Sequence, residues 1–168
     1  FPYLVDPNTG TALYESLDII EYVARTYGGR VRIARGGRRA GAIGAAVLAS
    51  GMRGFRGYRA RPSRAPEKPL ELFSFESSPY SRLVREVLCE LELPYLLHNT
   101  GKGRRSDMGP PAFRDKWFKG PKDTTRNRRL LNQRTGRVQV PYLIDPNTGV
   151  EMYESRDIIA YLEKTYGA

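Results

Sequence analysis

The chain carries two copies of one sequence, and this internal repeat limits the folds that it can adopt. The first copy, residues 1–28, is FPYLVDPNTGTALYESLDIIEYVARTYG, and the second, residues 140–167, is VPYLIDPNTGVEMYESRDIIAYLEKTYG. About two-thirds of the aligned positions are identical, which is typical of one supersecondary unit used twice. Any fold assigned to the chain must therefore build the same unit in both places.

The second copy predicts a β-hairpin followed by a helix. Residues 140–144 are a short apolar run of strand type, and DPNTG then makes a turn because Pro fixes φ and Gly accepts a positive φ. A second strand over Val150–Tyr153 and an amphipathic helix that begins at Glu154-Ser155 complete the β-β-α unit. We expect Ser155 to cap this helix and Gly167 to end it.

The unit resembles the second half of the thioredoxin-like N-terminal domain of glutathione S-transferases. Val-Pro at a strand start, the hairpin and Glu-Ser at a helix start carry this resemblance. Tandem, plastid-targeted plant and algal proteins built from two such domains are more similar still. The resemblance implies an α/β, thioredoxin-like fold in the order β-α-β-α-β-β-α, with a four-stranded mixed sheet.

The domain organisation follows from placing this fold on the chain. We expect residues 69–168 to form a complete domain and residues 1–28 to be the C-terminal β-β-α half of a first one. Within the complete domain, residues 70–75 alternate as a strand, and an amphipathic helix with Leu83, Val84, Val87, Leu88 and Leu91 follows. A strand at residues 94–98 and a helix near residues 126–133 precede the second copy.

Basic residues are concentrated in two connecting segments. The formal net charge is +10, yet residues 29–68 alone hold eleven Lys and Arg against one Glu, and residues 101–137 hold twelve against three Asp. Charge that served only solubility would be spread over the surface, so we expect these basic arms to dock an acidic partner. A larger protein complex is the first candidate, and RNA or an anionic membrane surface are the alternatives. No apolar run is long enough for a transmembrane span.

Each basic segment also has an apolar element. Residues 29–68 form an Arg/Gly-rich linker with an apolar island at 40–52, which either packs against protein or lies on a membrane surface. A basic aromatic insertion near residues 104–125 contains the only Trp. It is either a small local core or a docking anchor, because Trp and Arg concentrate binding energy at interfaces. The candidate interaction residues are Arg104, Arg105, Lys116, Trp117, Phe118 and Lys119.

The position of the catalytic thiols in glutaredoxin-like relatives is occupied by Ser78-Pro79-Tyr80-Ser81. Thiol–disulfide exchange needs a sulfur nucleophile, so we expect a redox-inactive domain. Serine before this proline also resembles transferase classes in which the hydroxyl donates a hydrogen bond to the glutathione thiolate, which makes Ser78 the candidate catalytic residue. A simple N-cap is the alternative role for Ser78. Cys89, the only cysteine, should lie on the exposed side of the same helix.

The other glutathione contacts are implied by the resemblance. Pro141 would be a cis-proline that turns the backbone of Val140 toward the cysteinyl part of glutathione. Glu154 would take the γ-glutamyl ammonium, and Ser155 at the helix start its carboxylate; Tyr80 completes the candidate set. The fold alone would also explain a proline and a helix-capping serine there. With one His and one Cys in the chain, we expect no metal site.

These features predict a redox-inactive thioredoxin-fold module that serves as an interaction or assembly subunit and retains weak glutathione binding. A glutathione-dependent transferase that uses Ser78 is the alternative, although the all-helical domain that forms the electrophile pocket of such enzymes is not part of this sequence. An RNA-associated basic protein is the second alternative. The resemblance implies a chloroplast location, in the stroma or on the stromal face of the thylakoid membrane.

Overall fold

The computed structural model describes residues 2–28, 48, 51, 57–104 and 121–168, which belong to two units, Phe1–Phe55 and Arg56–Ala168. In the first unit the Pro-Asn-Thr-Gly turn joins two antiparallel strands, and a helix follows. These elements are β1 (Tyr3–Asp6), β2 (Thr11–Tyr14) and α1 (Ser16–Tyr27). No residue of α1 is buried, because a hairpin and one helix cannot cover their own apolar faces.

The second unit follows the predicted order. Its elements are β3 (Leu70–Ser74), α2 (Pro79–Glu90), β4 (Tyr95–Asn99), α3 (Arg126–Thr135), β5 (Tyr142–Asp145), β6 (Val150–Tyr153) and α4 (Ser155–Tyr166). Both repeats thus fold as the β-β-α unit that their turn residues and apolar spacing predict. The turn Gly of each repeat has a positive φ, 69° at Gly10 and 75° at Gly149.

The four strands of the second unit form a mixed sheet in the order β4-β3-β5-β6. β3 pairs parallel with β4 and antiparallel with β5, and β5 and β6 form the hairpin. In this register Phe73 lies opposite Tyr142, and Tyr142 lies opposite Tyr153. The arrangement confirms the thioredoxin-like fold.

The two faces of the sheet are covered by different helices. On one face, Leu72 and Leu143 pack with residues of α2 and α4, and Val84, Leu88, Ile158 and Leu162 are buried there. On the other face, Phe73, Tyr142 and Ile144 pack against Leu131 of α3. Burial of each such side chain contributes about 1.5–3 kcal/mol, so this sandwich holds the strand ends in fixed positions.

An aspartate fastens each hairpin to its own helix. Asp145, at the end of β5, accepts hydrogen bonds from the hydroxyls of Tyr161 and Tyr166, both at 2.6 Å, and from the backbone N–H of Asn147 at 2.8 Å. Burial by itself raises the pKa of Asp145, but these hydrogen bonds outweigh it and lower the pKa to about 2. We call Asp145, Asn147, Tyr161 and Tyr166 the Asp–Tyr cluster.

Candidate functional site

The strand register brings the predicted glutathione residues to one end of the sheet. Because Phe73, Tyr142 and Tyr153 lie side by side, the carboxyl ends of β3 and β6 and the amino end of β5 share an edge. Ser78 lies just beyond β3, Pro141 directly precedes β5, and residues 154–155 follow β6. The ring centroids of Tyr142 and Tyr153 are 4.4 Å apart, so the aromatic side chains beneath this edge pack closely together.

Ser78 is the N-cap of α2, which is one of the two roles predicted for it. Its hydroxyl oxygen accepts a hydrogen bond from the backbone N–H of Ser81 at 3.3 Å, and Pro79 occupies the first turn. Ser81 is fully buried, whereas the Tyr80 side chain is 63% exposed. A hydroxyl has one hydrogen and two lone pairs, so a capping Ser78 keeps an O–H that can still donate to a ligand.

Val140 and Pro141 are joined by a cis peptide bond, as the resemblance implies. Pro141 is buried at the amino end of β5. Val140, one residue earlier, is half-buried and packs against the cluster of Phe73 and Tyr142. Both predicted residues therefore lie at the shared edge of the sheet.

Glu154 adopts a backbone conformation that is rare for a residue with a side chain. Its φ is 67°, and Glu15, at the same place in the first repeat, has a φ of 73°. This left-handed conformation turns the chain from β6 into α4 within one residue. Non-glycine residues are strained there by roughly 1–3 kcal/mol, and such strain is concentrated at functional sites.

The predicted N-cap role of Ser155 is wrong. Ser155 is already the first helical residue of α4, and Glu154 occupies the capping position without a side-chain cap hydrogen bond. The tight turn at Glu154 explains this, because it gives Ser155 a helical backbone. The carboxylate of Glu154 instead accepts a hydrogen bond from the side-chain amide of Gln139 at 2.6 Å. The first N–H groups of α4 thus lack a cap from Glu154, and a helix start of this kind attracts anions.

Two cationic side chains that sequence reasoning did not single out, Arg137 and Lys102, lie near the same edge. The guanidinium carbon of Arg137 lies 4.0 Å from the ring centroid of Tyr153, and Nζ of Lys102 lies 5.4 Å from that of Phe75. Gln139 was missed as well. All three flank elements of the predicted site. Lys102 and Arg137 belong to the basic segment 101–137, whose charge was the available signal for them, whereas Gln139 carries no such signal.

Beneath the edge, Glu151 of β6 joins α3 to the hairpin. Arg134 donates to Glu151 with Nε 2.9 Å from Oε2, and the hydroxyl of Tyr142 donates to the same carboxylate. These two partners lower the pKa of Glu151 to about 2, Arg134 having the larger effect. Burial and the carboxylate raise the pKa of Tyr142 to about 12, so Tyr142 remains a neutral donor near pH 7.

Most predicted interaction residues lie outside the described residues, namely Arg105, Lys116, Trp117, Phe118 and Lys119, and so does nearly all of the apolar island at 40–52. Arg104 is described and is exposed. Cys89 is exposed, as predicted, and its thiol lies 3.5 Å from the backbone oxygen of Gly57. In the described parts of the chain, no cluster of His, Cys, Asp and Glu could hold a metal ion, and no helix is long and apolar enough to cross a membrane.

The chain is similar to a solved structure of the Bombyx mori glutathione transferase BmGSTD1 in complex with GTT, with 23% identity and a TM-score of 0.42. That match covers 62% of this chain and spans 39% of the transferase chain. No curated protein gives a significant match. The family model of the glutathione S-transferase N-terminal domain matches residues 1–31 and 72–168, which is more than half of the sequence, and the chain therefore belongs to this family.

Proposed function

We propose that residues 69–168 form a redox-inactive thioredoxin-fold module that retains a glutathione site, and that the chain acts as an interaction or assembly subunit. The proposal of a glutathione site is based on the backbone conformation of Glu154, which has a φ of 67° and directly precedes α4. Strain of this kind persists only where the surroundings enforce it, and here it sets an acidic residue directly before the first N–H groups of α4.

This pairing of opposite charges suits the γ-glutamyl end of glutathione. An α-amino acid group carries an ammonium and a carboxylate on one carbon, so it needs an acidic and an anion-binding partner side by side. Glu154 supplies the carboxylate, and the first turn of α4 at Ser155 supplies N–H donors and the positive end of the helix dipole. The backbone of Val140, at the same edge, would pair with the cysteinyl residue as an added strand.

The absence of sulfur at positions 78 and 81 supports the redox-inactive part of the proposal. Ser78 caps α2, and Ser81 is fully buried and accepts a hydrogen bond from the N–H of Phe75 at 3.5 Å. Neither hydroxyl can form the mixed disulfide on which glutaredoxin-type exchange depends. Cys89 lies at the far end of α2 from these two positions.

The second candidate is a glutathione-dependent transferase that uses Ser78, and one observation favours it. The cap uses a lone pair of the Ser78 hydroxyl, which accepts from Ser81, and leaves its hydrogen available. A hydrogen bond from this O–H to a glutathione sulfur would stabilise the thiolate and lower its pKa.

Calorimetric titration of the full chain with glutathione tests the site. Glu154→Ala should weaken binding about 10- to 100-fold, because a hydrogen bond to a charged group contributes about 1.5–3 kcal/mol. Glu15→Ala, the same change in the first repeat, is the matched control and should leave the affinity unchanged. Equal binding by wild type and Glu154→Ala would refute the assignment. A conjugation assay with Ser78→Ala separates the two candidates, because only the transferase would lose activity.

We also propose the wider context that the resemblance implies. Residues 1–28 would be the C-terminal half of a first domain of the same type, in tandem with residues 69–168. The chain would work in the chloroplast, in the stroma or at the stromal face of the thylakoid membrane. The basic segments 29–68 and 101–137 would dock an acidic protein complex. RNA and an anionic membrane surface are the alternative partners for these charges, and binding to any of the three would weaken as salt screens the charges.

A further inference from the structure

β4 is an outer strand of the four-stranded sheet, and its pairing with β3 occupies only one of its two sides. Successive residues of a strand direct their backbone groups to alternate sides. The carbonyl of Pro94 accepts from the N–H of Leu70 at 3.0 Å, and the N–H of Thr100 donates to the carbonyl of Ser74 at 2.8 Å, so the even-numbered residues face β3. The odd-numbered residues therefore direct their backbone groups to the outer side, namely Tyr95, Leu97 and Asn99.

These outward backbone groups are available to another strand. Within residues 57–104 and 121–168, none of the three N–H groups has an acceptor. The carbonyl of Asn99 accepts from the side-chain amide of Asn127 at 2.8 Å, and a carbonyl oxygen has a second lone pair. A row of unpaired N–H and C=O groups along an outer strand is a template for pairing with a further strand.

The side chains of β4 do not protect this outer side. Leu96 is 57% exposed and Leu97 is 49% exposed, and because neighbouring residues project from opposite faces, apolar surface is open on both faces. The strand contains none of the charged residues or prolines by which natural outer strands prevent pairing. β6, at the other end of the sheet, carries Glu151 and has no exposed large apolar side chain. β4 is therefore the outer strand that is open to pairing.

The sequence of β4 fits a second copy of itself. An antiparallel pairing centred on Leu97 places this residue opposite Leu97 of the other copy, Leu96 opposite His98, and Tyr95 opposite Asn99. The odd-numbered residues then face one another, as the hydrogen-bonded pairs of an antiparallel ladder require. The central pair is apolar, and no like charges meet because β4 contains no Lys, Arg, Asp or Glu.

We propose that two copies of the chain pair through β4 about a twofold axis, so that their four-stranded sheets join into one continuous sheet. A contact of this kind uses the same strand in both copies and closes after two. It satisfies the outward backbone groups and covers Leu96 and Leu97. A strand of five residues offers a small interface, so the dimer is weak and forms at high protein concentration.

The net charge of the chain gives this dimer a distinctive salt dependence. Each copy has a formal net charge of +10, so two copies repel each other. The Debye length falls from about 10 Å at 0.1 M salt to about 3 Å at 1 M salt, and this repulsion weakens accordingly. The dimer should therefore become tighter as salt is added, whereas docking of an acidic partner to the basic segments would become weaker.

Sedimentation velocity of the full chain, from about 1 μM to about 1 mM protein, tests the proposal. We expect a change from monomer to dimer, at a lower protein concentration in about 1 M than in about 0.1 M salt. Leu97→Lys places two like charges opposite each other and should raise the dissociation constant of the dimer at least about tenfold. Leu130→Lys is the matched control, because Leu130 is 43% exposed on α3, and it should leave the dissociation constant nearly unchanged.

Hydrogen–deuterium exchange measured by mass spectrometry locates the contact in the wild-type chain, whether or not the variants fold. Exchange of residues 95–99 should slow as the protein concentration rises, while exchange of β6 should not change. A monomer at every concentration would overturn the proposal, and so would assemblies larger than a dimer. A dimer that survives Leu97→Lys, or one that both lysine variants weaken equally, would also overturn it.

Discussion

Removal of one hydroxyl from the Asp–Tyr cluster should destabilise the second unit in a pH-dependent way. Tyr166→Phe deletes the donor that lies 2.6 Å from Oδ2 of Asp145 and leaves the ring in the core. A hydrogen bond to a charged group contributes about 1.5–3 kcal/mol, and Asp145 is fully buried, so water does not replace the lost donor. We therefore expect the free energy of unfolding to fall by about 2 kcal/mol at pH 7.

The pH dependence follows from the pKa of Asp145, which is about 2 in the folded protein and 3.8 without its partners. A carboxylate whose pKa is lowered by folding stabilises the protein above its unfolded pKa, and this contribution is lost as the pH falls toward the folded pKa. The shift corresponds to about 2 kcal/mol. In Tyr166→Phe the folded pKa of Asp145 moves back toward its ordinary value. The difference in stability between wild type and variant should therefore shrink as the pH falls from about 4 to about 2.

Urea unfolding followed by circular dichroism between pH 7 and pH 2 measures this difference. Tyr153→Phe is the matched control, because its hydroxyl donates to the neutral hydroxyl of Thr135 at 2.6 Å. That change should cost about 1 kcal/mol, and the cost should not vary over this pH range. A Tyr166→Phe cost below about 0.5 kcal/mol, or one that stays constant with pH, would refute the reasoning, since even a weak neutral hydrogen bond contributes about that much.

Three further predictions concern single features of the chain. Ser78→Ala removes the N-cap of α2 and should lower the free energy of unfolding by about 1 kcal/mol, with Ser77→Ala as the control in the same urea assay. The chain should not reduce a glutathione mixed disulfide, and turnover that survives Cys89→Ser would disprove this. Neutral substitutions of Arg104, Arg105, Lys116 and Lys119 should abolish salt-sensitive partner capture, whereas Trp117→Ala should weaken capture at every salt concentration. Identical partners for wild type and the neutral variant would show that the basic arms do not dock.

The fold could be predicted because its determining signals are local and occur twice. The Asp-Pro-Asn-Thr-Gly turn, the strand runs on either side and the amphipathic helix specify the β-β-α unit within fewer than about 30 residues. Ser78 before Pro79 likewise predicts a helix cap from two adjacent residues, and the exposure of Cys89 follows from the apolar stripe of one helix. In each case the sequence positions that decide the structure lie next to one another.

Features that depend on distant residues could not be predicted in the same way. Gln139 reaches Glu154 across 15 positions, and Asp145 reaches Tyr161 and Tyr166 across 16 and 21. Strand propensity and helix periodicity contain no information on such pairs. The positive φ of Glu154 also opposes the local preference of a glutamate, because the turn from β6 into α4 imposes it. The predicted cap at Ser155 was wrong for this reason.

Comparison of the two repeats distinguishes residues that stabilise the β-β-α unit itself from residues that bind neighbouring elements. Asp145 has its hydrogen-bond partners within its own repeat, and the first repeat has the same arrangement. There Asp6 accepts from Tyr22 and Tyr27 at 2.6 Å, and these bonds lower its pKa to about 2. Glu151 and Glu163, in contrast, have partners outside the repeat, and the first repeat carries alanine at both positions. The aspartate and tyrosines that hold the unit together are therefore present in both copies, whereas these two glutamates, which bind residues outside the unit, are present only in the second copy.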